Sequence, residues 1–256
     1  MKKLIFTLLV AATTGLNAQI MVVNEIETES PENFSSILTQ WMAAIKTTLE
    51  IEDAKTYTFA EPGTKKIQFL QFHESLTEMV AYRNRQDENQ EKIWNTLQSM
   101  EPLPEGTVDV FNDVTSFKES SVWEFMPELS TTPETWDILS RAEKDEQFYR
   151  RVQYVNVKMN SDRAYEEWSK KMNALDKKLG ISYHYAIFKS VFGAKDADYM
   201  VMCIDKSQFE YFSNWEKRTE IREQSAEYKA LVGELSISQW SIISEFTWNR
   251  ILELTF

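Results

Sequence analysis

Three polar side chains stand on otherwise apolar strand patterns in the second half of the sequence: Asn156, His184 and Arg250. His184 lies between Tyr183 and Tyr185, and an imidazole, which titrates near neutral pH, serves as a base or as a ligand. Arg250 shares strand parity with Trp248, Leu252 and Leu254, and a guanidinium among such residues would hold an acidic ligand. Each has a plainer reading: a half-buried histidine hydrogen-bonded beside the sheet, a strand-end arginine paired with a surface carboxylate, an asparagine at an edge or bulge. A buried polar group left unsatisfied costs about 1–3 kcal/mol, so each must pair within the chain or meet a ligand. The three mark a candidate ligand site for a small apolar or aromatic molecule, or for a partner surface. Parity limits its make-up: Tyr183, Tyr185 and Ile187 point one way and His184, Ala186 and Phe188 the other, so His184 and the tyrosine pair cannot face one cavity.

Little else invites chemistry. There is no G-x-S-x-G, H-E-x-x-H, P-loop or dinucleotide fingerprint, and six glycines leave little for a phosphate-cradling loop. The only histidines are His73 and His184 and the only cysteine is Cys203. That excludes thiolate metal sites, most multi-histidine schemes and an intramolecular disulfide; no metal and no cofactor is expected. A formal charge of −12 argues against nucleic acid and anionic membrane surfaces as partners. A 43% apolar and 13% aromatic composition argues against disorder.

The elements that must position these residues read as follows. Ile20–Ile26 is a strand, and Ser30-Pro31 opens a helix whose Phe34, Ile37, Leu38, Trp41, Ile45 and Leu49 share a face. Lys55–Ala60 and Lys66–Phe72 are strands about a Pro62-Gly63 turn. Ser75 and Glu78 form a capping box for a helix running toward Met100, stopped by Pro102 and Pro104. A further strand lies around Ser121–Met126, and residues 130–147 connect to a second round. There Arg151–Val157 is a strand, and Ser161 caps a helix striped by Tyr165, Trp168, Met172, Leu175 and Leu179 and ended by Gly180. Ile181–Phe188 and Asp198–Ile204 form a hairpin, Ser207 and Glu210 cap a helix to about Leu231, and a strand covers Phe246–Leu254. The aromatic stripes, Trp41 and Trp168 included, are expected between helix and sheet, and the acid-rich run Glu216–Glu227 on a solvated helix face.

The two rounds match in order. Ser30, Phe34 and Ile37 correspond to Ser161, Tyr165 and Trp168; Ser75 and Glu78 to Ser207 and Glu210; and Trp123-x-x-Met126-x-Glu128-Leu129 to Trp248-x-x-Ile251-x-Glu253-Leu254. The fold class is therefore α+β, two ferredoxin-like βαββαβ repeats at 19–129 and 148–256. Helices cover one face of each four-stranded antiparallel sheet. The strands are apolar on the other face too, so the sheets must face each other as a pseudo-dimeric barrel.

In element order and length the chain resembles the dimeric α+β barrel superfamily in its tandem single-chain form. That group includes antibiotic-biosynthesis monooxygenases, haem-degrading monooxygenases, EthD-like and stress-responsive proteins and the chlorite-dismutase group. The favoured expectation is a monomer or homodimer that binds a small apolar or aromatic ligand or a partner; the resemblance adds cofactor-independent monooxygenase-like chemistry as an alternative and haem binding in the manner of the chlorite-dismutase group as a second alternative. Monooxygenases of the group use an Asn on the first strand, here Asn24 or Asn156, with an aromatic and sometimes a His on the second helix. Trp94 and Trp215 are the aromatics there, and neither second helix carries a His. Haem binding would draw on His184.

The chain begins with the pattern of an export signal. Lys2 and Lys3 precede a short apolar run, Leu4–Ala12, and small and polar residues lead to Ala18. The run is about half the roughly 20 residues of a membrane span. Residues 1–18 are thus expected to be removed, leaving a periplasmic or secreted protein with no membrane insertion. Exported protein should give an N-terminal sequence starting at or near Gln19; one still starting at Met1 would remove the export assignment.

Overall fold

The computed structural model describes residues 19–29, 31–51, 55–100, 116–132, 138–194, 196–234 and 240–251. The export pattern, the Ser30 cap, Pro102 and Pro104, and the expected strand residues beyond Ile251 lie outside them. The elements are β1 (Ile20–Glu27), α1 (Pro31–Leu49), β2 (Thr56–Ala60), β3 (Lys66–His73), α2 (Leu76–Glu88), α3 (Gln90–Ser99) and β4 (Ser116–Phe125). After a 3-10 turn at Pro127–Leu129 come α4 (Arg141–Asp145), β5 (Tyr149–Val157), α5 (Asp162–Lys178), β6 (His184–Phe192), β7 (Tyr199–Asp205), α6 (Gln208–Glu223), α7 (Ala226–Glu234) and β8 (Trp240–Ile251).

All eight strands join in one closed barrel, ordered β1-β3-β2-β8-β5-β7-β6-β4. Each repeat contributes four strands in the same spatial order, fourth-first-third-second, as a ferredoxin-like unit requires. The two sheets face each other and are also hydrogen-bonded at both edges. At one seam β2 pairs with β8, placing Phe59 opposite Arg250; at the other β4 pairs with β6, placing Phe125 opposite Phe188. Closure leaves no unpaired sheet edge among the described strands. At the second seam Gly193, at φ +76, is required: a Cβ there would lie 2.3 Å from the Ser120 carbonyl oxygen.

Local chemistry explains where the elements differ from expectation. The helix after Ser75 breaks at Asn89, whose side chain donates to the Arg85 carbonyl at 2.8 Å. The helix after Ser207 breaks before Ala226, where Ser225 Oγ accepts from Tyr228 N. Ser75 and Ser207 each accept one backbone N–H, from Glu78 and Glu210 at 3.1 Å. The Glu78 carboxylate turns to His73 Nδ1 at 2.8 Å, so the reciprocal bond expected there does not form. A complete capping box occurs at Ser140 and Glu143, and Ser161 makes no capping bond with its side chain. Gly180 ends α5 with φ +70, as expected.

The core has two kinds of layer. Inside the barrel, inward side chains of both sheets form one cluster that includes Met21, Leu70, Trp123, Val152, Met200 and Trp248. Outside, α1 and α3 cover the first sheet with an apolar layer including Phe34, Met42, Ile45, Ile67 and Ile93, and α5 and α6 lie on the second with α7 packed against them. Leu70→Ala, at a site 1% exposed in the barrel centre, should cost about 2–5 kcal/mol. Ile138→Ala, at 81% exposure, should change stability by less than about 0.5 kcal/mol. Urea midpoints of the two variants check this; equal losses would show that the lumen had been misassigned.

Candidate functional site

Asn156, His184 and Arg250 share the inward parity of their strands, but the register sends them to different ends of the barrel. His184 pairs with Ile204, and Ile204 with Arg150. Arg250 lies just beyond Trp248, the partner of Arg150. These residues gather at one mouth. Asn156 lies near the other, donating from Nδ2 to the Asp196 carbonyl. Arg250 donates to the Lys144 carbonyl at 3.1 Å, approaches Asp145 at 3.4 Å and stacks over Tyr57. The mouth beside Arg150 is an apolar cavity of about 290 Å³, walled by side chains such as Tyr57, Phe59, Phe72, Phe125 and Phe188. Burial and the nearby charge of Arg250 push the Arg150 guanidinium down to about 9. Arg150 donates to the carbonyls of Gln147 and Tyr149. None of the three expected site residues is among the side chains lining either lumen cavity.

A denser convergence of polar groups lies on the opposite face of the same sheet, beneath α5 and α6. Tyr183 lies just before β6, and Tyr185 on it points outward, as parity requires; their rings stack at 4.8 Å. From α5 the buried face presents Tyr165, Ser169 and Asp176. From α6 come Tyr211, Trp215, Arg218 and Arg222, one turn apart. With Trp168 and Trp240 they enclose a cleft of about 220 Å³. Trp168 is only half-buried there, packed on Trp240 at 5.9 Å and donating to the Leu231 carbonyl at 3.0 Å.

The charges in this cleft are unequal. Arg222 binds Asp176 with two nitrogens, Nε to Oδ1 at 2.8 Å and Nη2 to Oδ2 at 2.5 Å, and donates to Tyr183 Oη at 3.0 Å. Burial works against the charge of Arg222, yet Asp176 and Tyr183 hold its pKa above the ordinary range. Arg218 is only 6% exposed. Its guanidinium lies over the Tyr183 ring at 4.3 Å and the Tyr211 ring at 5.6 Å, and its Nε makes no hydrogen bond. Among the described residues no carboxylate pairs with Arg218, whereas Asp176 is committed to Arg222. Cys203 lies beside these groups, and burial pushes its thiol pKa up. Burial likewise raises Tyr183 and Tyr185 well above ordinary phenols. The cleft thus offers a buried cation, a flat aromatic lining and neutral hydroxyls. Its carboxylate is tied up, and it contains no imidazole to move a proton.

By sequence, Arg218 and Arg222 belong to the acid-rich run Glu216–Glu227, expected on a solvated face; the structure buries Arg218 and partly buries Arg222 against the sheet. The available signal is their spacing of four, matched by Ser169, Asn173 and Asp176 on the buried side of α5. Polar residues at helical spacing on both facing helices mark a lined cavity. Among the described residues of the first repeat, the corresponding layer is the apolar cluster under α1 and α3.

No protein-family model matches the sequence, and neither does any curated protein. Solved structures do share the fold. A provisionally assigned chlorite dismutase superposes with a TM-score of 0.50 at 10% identity, over 93% of this chain and 96% of its own. A provisionally assigned monooxygenase from Lactobacillus acidophilus gives 0.50 at 10%, over 91% and 93%. A haem-binding protein from Thermus thermophilus gives 0.50 at 10%, over 94% of each. The chain therefore has the dimeric α+β barrel fold in tandem single-chain form.

Burial lowers the pKa of both histidines, against a raising contribution from Glu78 for His73 and from Asp205 for His184. The unfolded chain takes up these protons near pH 6.5 and the folded chain only at lower pH. Stability is therefore full above about pH 6.5 and declines as pH falls through that value toward the lowered folded values. Urea midpoints at pH 7 and pH 5 should show this decline, and His184→Gln should reduce it. A slope unchanged by replacing both histidines would place its origin elsewhere.

Proposed function

We propose that the protein binds a small, flat aromatic molecule carrying an anionic group, in the cleft between α5, α6 and the sheet of the second repeat. The observation that carries this reading is Arg218: a buried guanidinium, facing tyrosine rings, with no carboxylate partner among the described residues. An isolated buried charge is costly, and a ligand anion would supply its counter-charge. The cleft volume of about 220 Å³ exceeds the roughly 150 Å³ of a cavity that holds benzene, so one substituted or fused aromatic ring system suits it. The ring of Trp215, half exposed at the cleft, suits stacking. The Met1–Ala18 pattern supports an exported site of action.

Haem does not fit the donors of this cleft. His184 faces the lumen, His73 is bound to Glu78 on the first repeat, and the tyrosine and cysteine groups at the cleft are held protonated. Cofactor-independent oxygenation is also less well supported. Trp215 lines the cleft, but Asn156 lies on the other face of the sheet and Asp176 is bound by Arg222.

Titration calorimetry with 2-naphthoate and its neutral amide tests the proposal. The carboxylate should bind at least about tenfold more tightly, and Arg218→Met should abolish that preference, because hydrogen bonds to charged groups contribute about 1.5–3 kcal/mol. Equal affinities for acid and amide, or a preference that survives Arg218→Met, would sink it. A haem titration giving a strong Soret band would favour the haem reading instead.

A further inference from the structure

We propose a second binding site inside the barrel, for a neutral, flat molecule bearing a carbonyl group. The lumen mouth opposite Arg150 contains a cavity of about 220 Å³. Its walls include Trp123 and Tyr154, one from each repeat, stacked at 5.5 Å with 18° between planes. Phe246 and Trp248 complete the aromatic lining, and Ala194 and Ala197 of the β6–β7 loop lie at its edge. This space and the Arg218 cleft occupy opposite faces of the second sheet, so occupancy of one does not require the other.

Two donors in the cavity call for an acceptor. Trp248 is 1% exposed, and its Nε1 has no hydrogen-bond partner among the described residues. An indole N–H can only donate, and leaving it unsatisfied is unfavourable. Ser121 Oγ already accepts from Trp123 Nε1 at 2.8 Å, so its own hydrogen remains to be donated. Among the charged groups at the cavity, Lys66 pairs with Glu25 at 3.0 Å and Gln68 also donates to Glu25 at 3.0 Å, while the exposed Asp196 adds a second carboxylate at the mouth. An anion would meet Glu25 and Asp196, and a cation would leave the Trp248 and Ser121 donors unserved, which leaves a neutral acceptor. Waters would satisfy the donors, but at about 30 Å³ each several would have to sit against aromatic walls with few polar partners. A carbonyl on a flat ring serves the donors and the walls together.

The test is indole ¹⁵N–¹H NMR of the full chain, with the Trp248 signal assigned by its loss in Trp248→Phe. Acetophenone is the probe and ethylbenzene its control without the carbonyl. Acetophenone should move the Trp248 N–H signal downfield and saturably. Ethylbenzene should bind roughly tenfold more weakly without that downfield shift, as expected for one lost hydrogen bond. Trp248→Phe should bring acetophenone down to the ethylbenzene affinity, and Ser244→Trp, which fills the cavity, should abolish binding of both. A wild-type Trp248 signal that does not respond to saturating acetophenone, or responds equally to both probes, overturns the proposal. That result needs no variant to fold. Naphthoate binding at Arg218 is read separately and decides nothing here.

Discussion

Each four-stranded sheet is apolar on both faces, and a sheet with two apolar faces must be covered twice. Helices cover the outer face, and the other repeat covers the inner one. Three aromatic pairs show how completely the inner cover is shared: Trp123 with Tyr154, Phe59 with Trp248, and Phe125 with Phe188. In every pair the first ring belongs to the first repeat and the second ring to the second. Separating the repeats would expose this whole inner layer and break the hydrogen bonds of both seams. With aromatic truncations costing about 3–5 kcal/mol each in a core, loss of the layer would exceed the stability of an ordinary domain. The lumen is therefore what makes the two repeats one folding unit.

That arrangement frees the outer layers to diverge. The first repeat uses its layer for packing, with Phe34, Met42, Ile45, Ile67 and Ile93 buried and apolar. The second repeat places Asp176, Arg218 and Arg222 at the equivalent depth. A buried ion pair contributes little net stability compared with well-packed apolar residues, and a buried arginine without a carboxylate is worse. Such groups weaken the second layer relative to the first. Their position, between a rigid sheet and two helices, suits ligand recognition, because the lining rings are fixed by packing before any ligand arrives.

Much of this architecture is legible in the sequence. Strand parity assigns Tyr183 and Tyr185 to one face and His184 to the other, and the structure keeps them there. The paired serines before α2 and α6 mark corresponding helix starts in the two repeats. Register is harder to read. Asn156, His184 and Arg250 all point inward, yet they do not form one site, because only the stagger of the closed barrel fixes which end each strand position reaches. Helix interruptions escape the periodic pattern as well. Asn89 breaks its helix through a side-chain bond to Arg85, and periodicity carries no record of such a bond. The arginines of α6 are hidden for another reason: charged residues at helical spacing normally face water, and nothing local distinguishes Arg218 from its acidic neighbours. The distinguishing fact is the polar stripe on α5, which becomes relevant only once the two helices share a sheet.

A crystal structure of the protein with 2-naphthoate tests the central claim most directly. The account predicts a naphthyl ring between α6 and the outer face of β6 and β7, with its carboxylate about 2.7–2.9 Å from the Arg218 guanidinium. A ligand bound elsewhere, with the Arg218 cleft empty or collapsed, would contradict it.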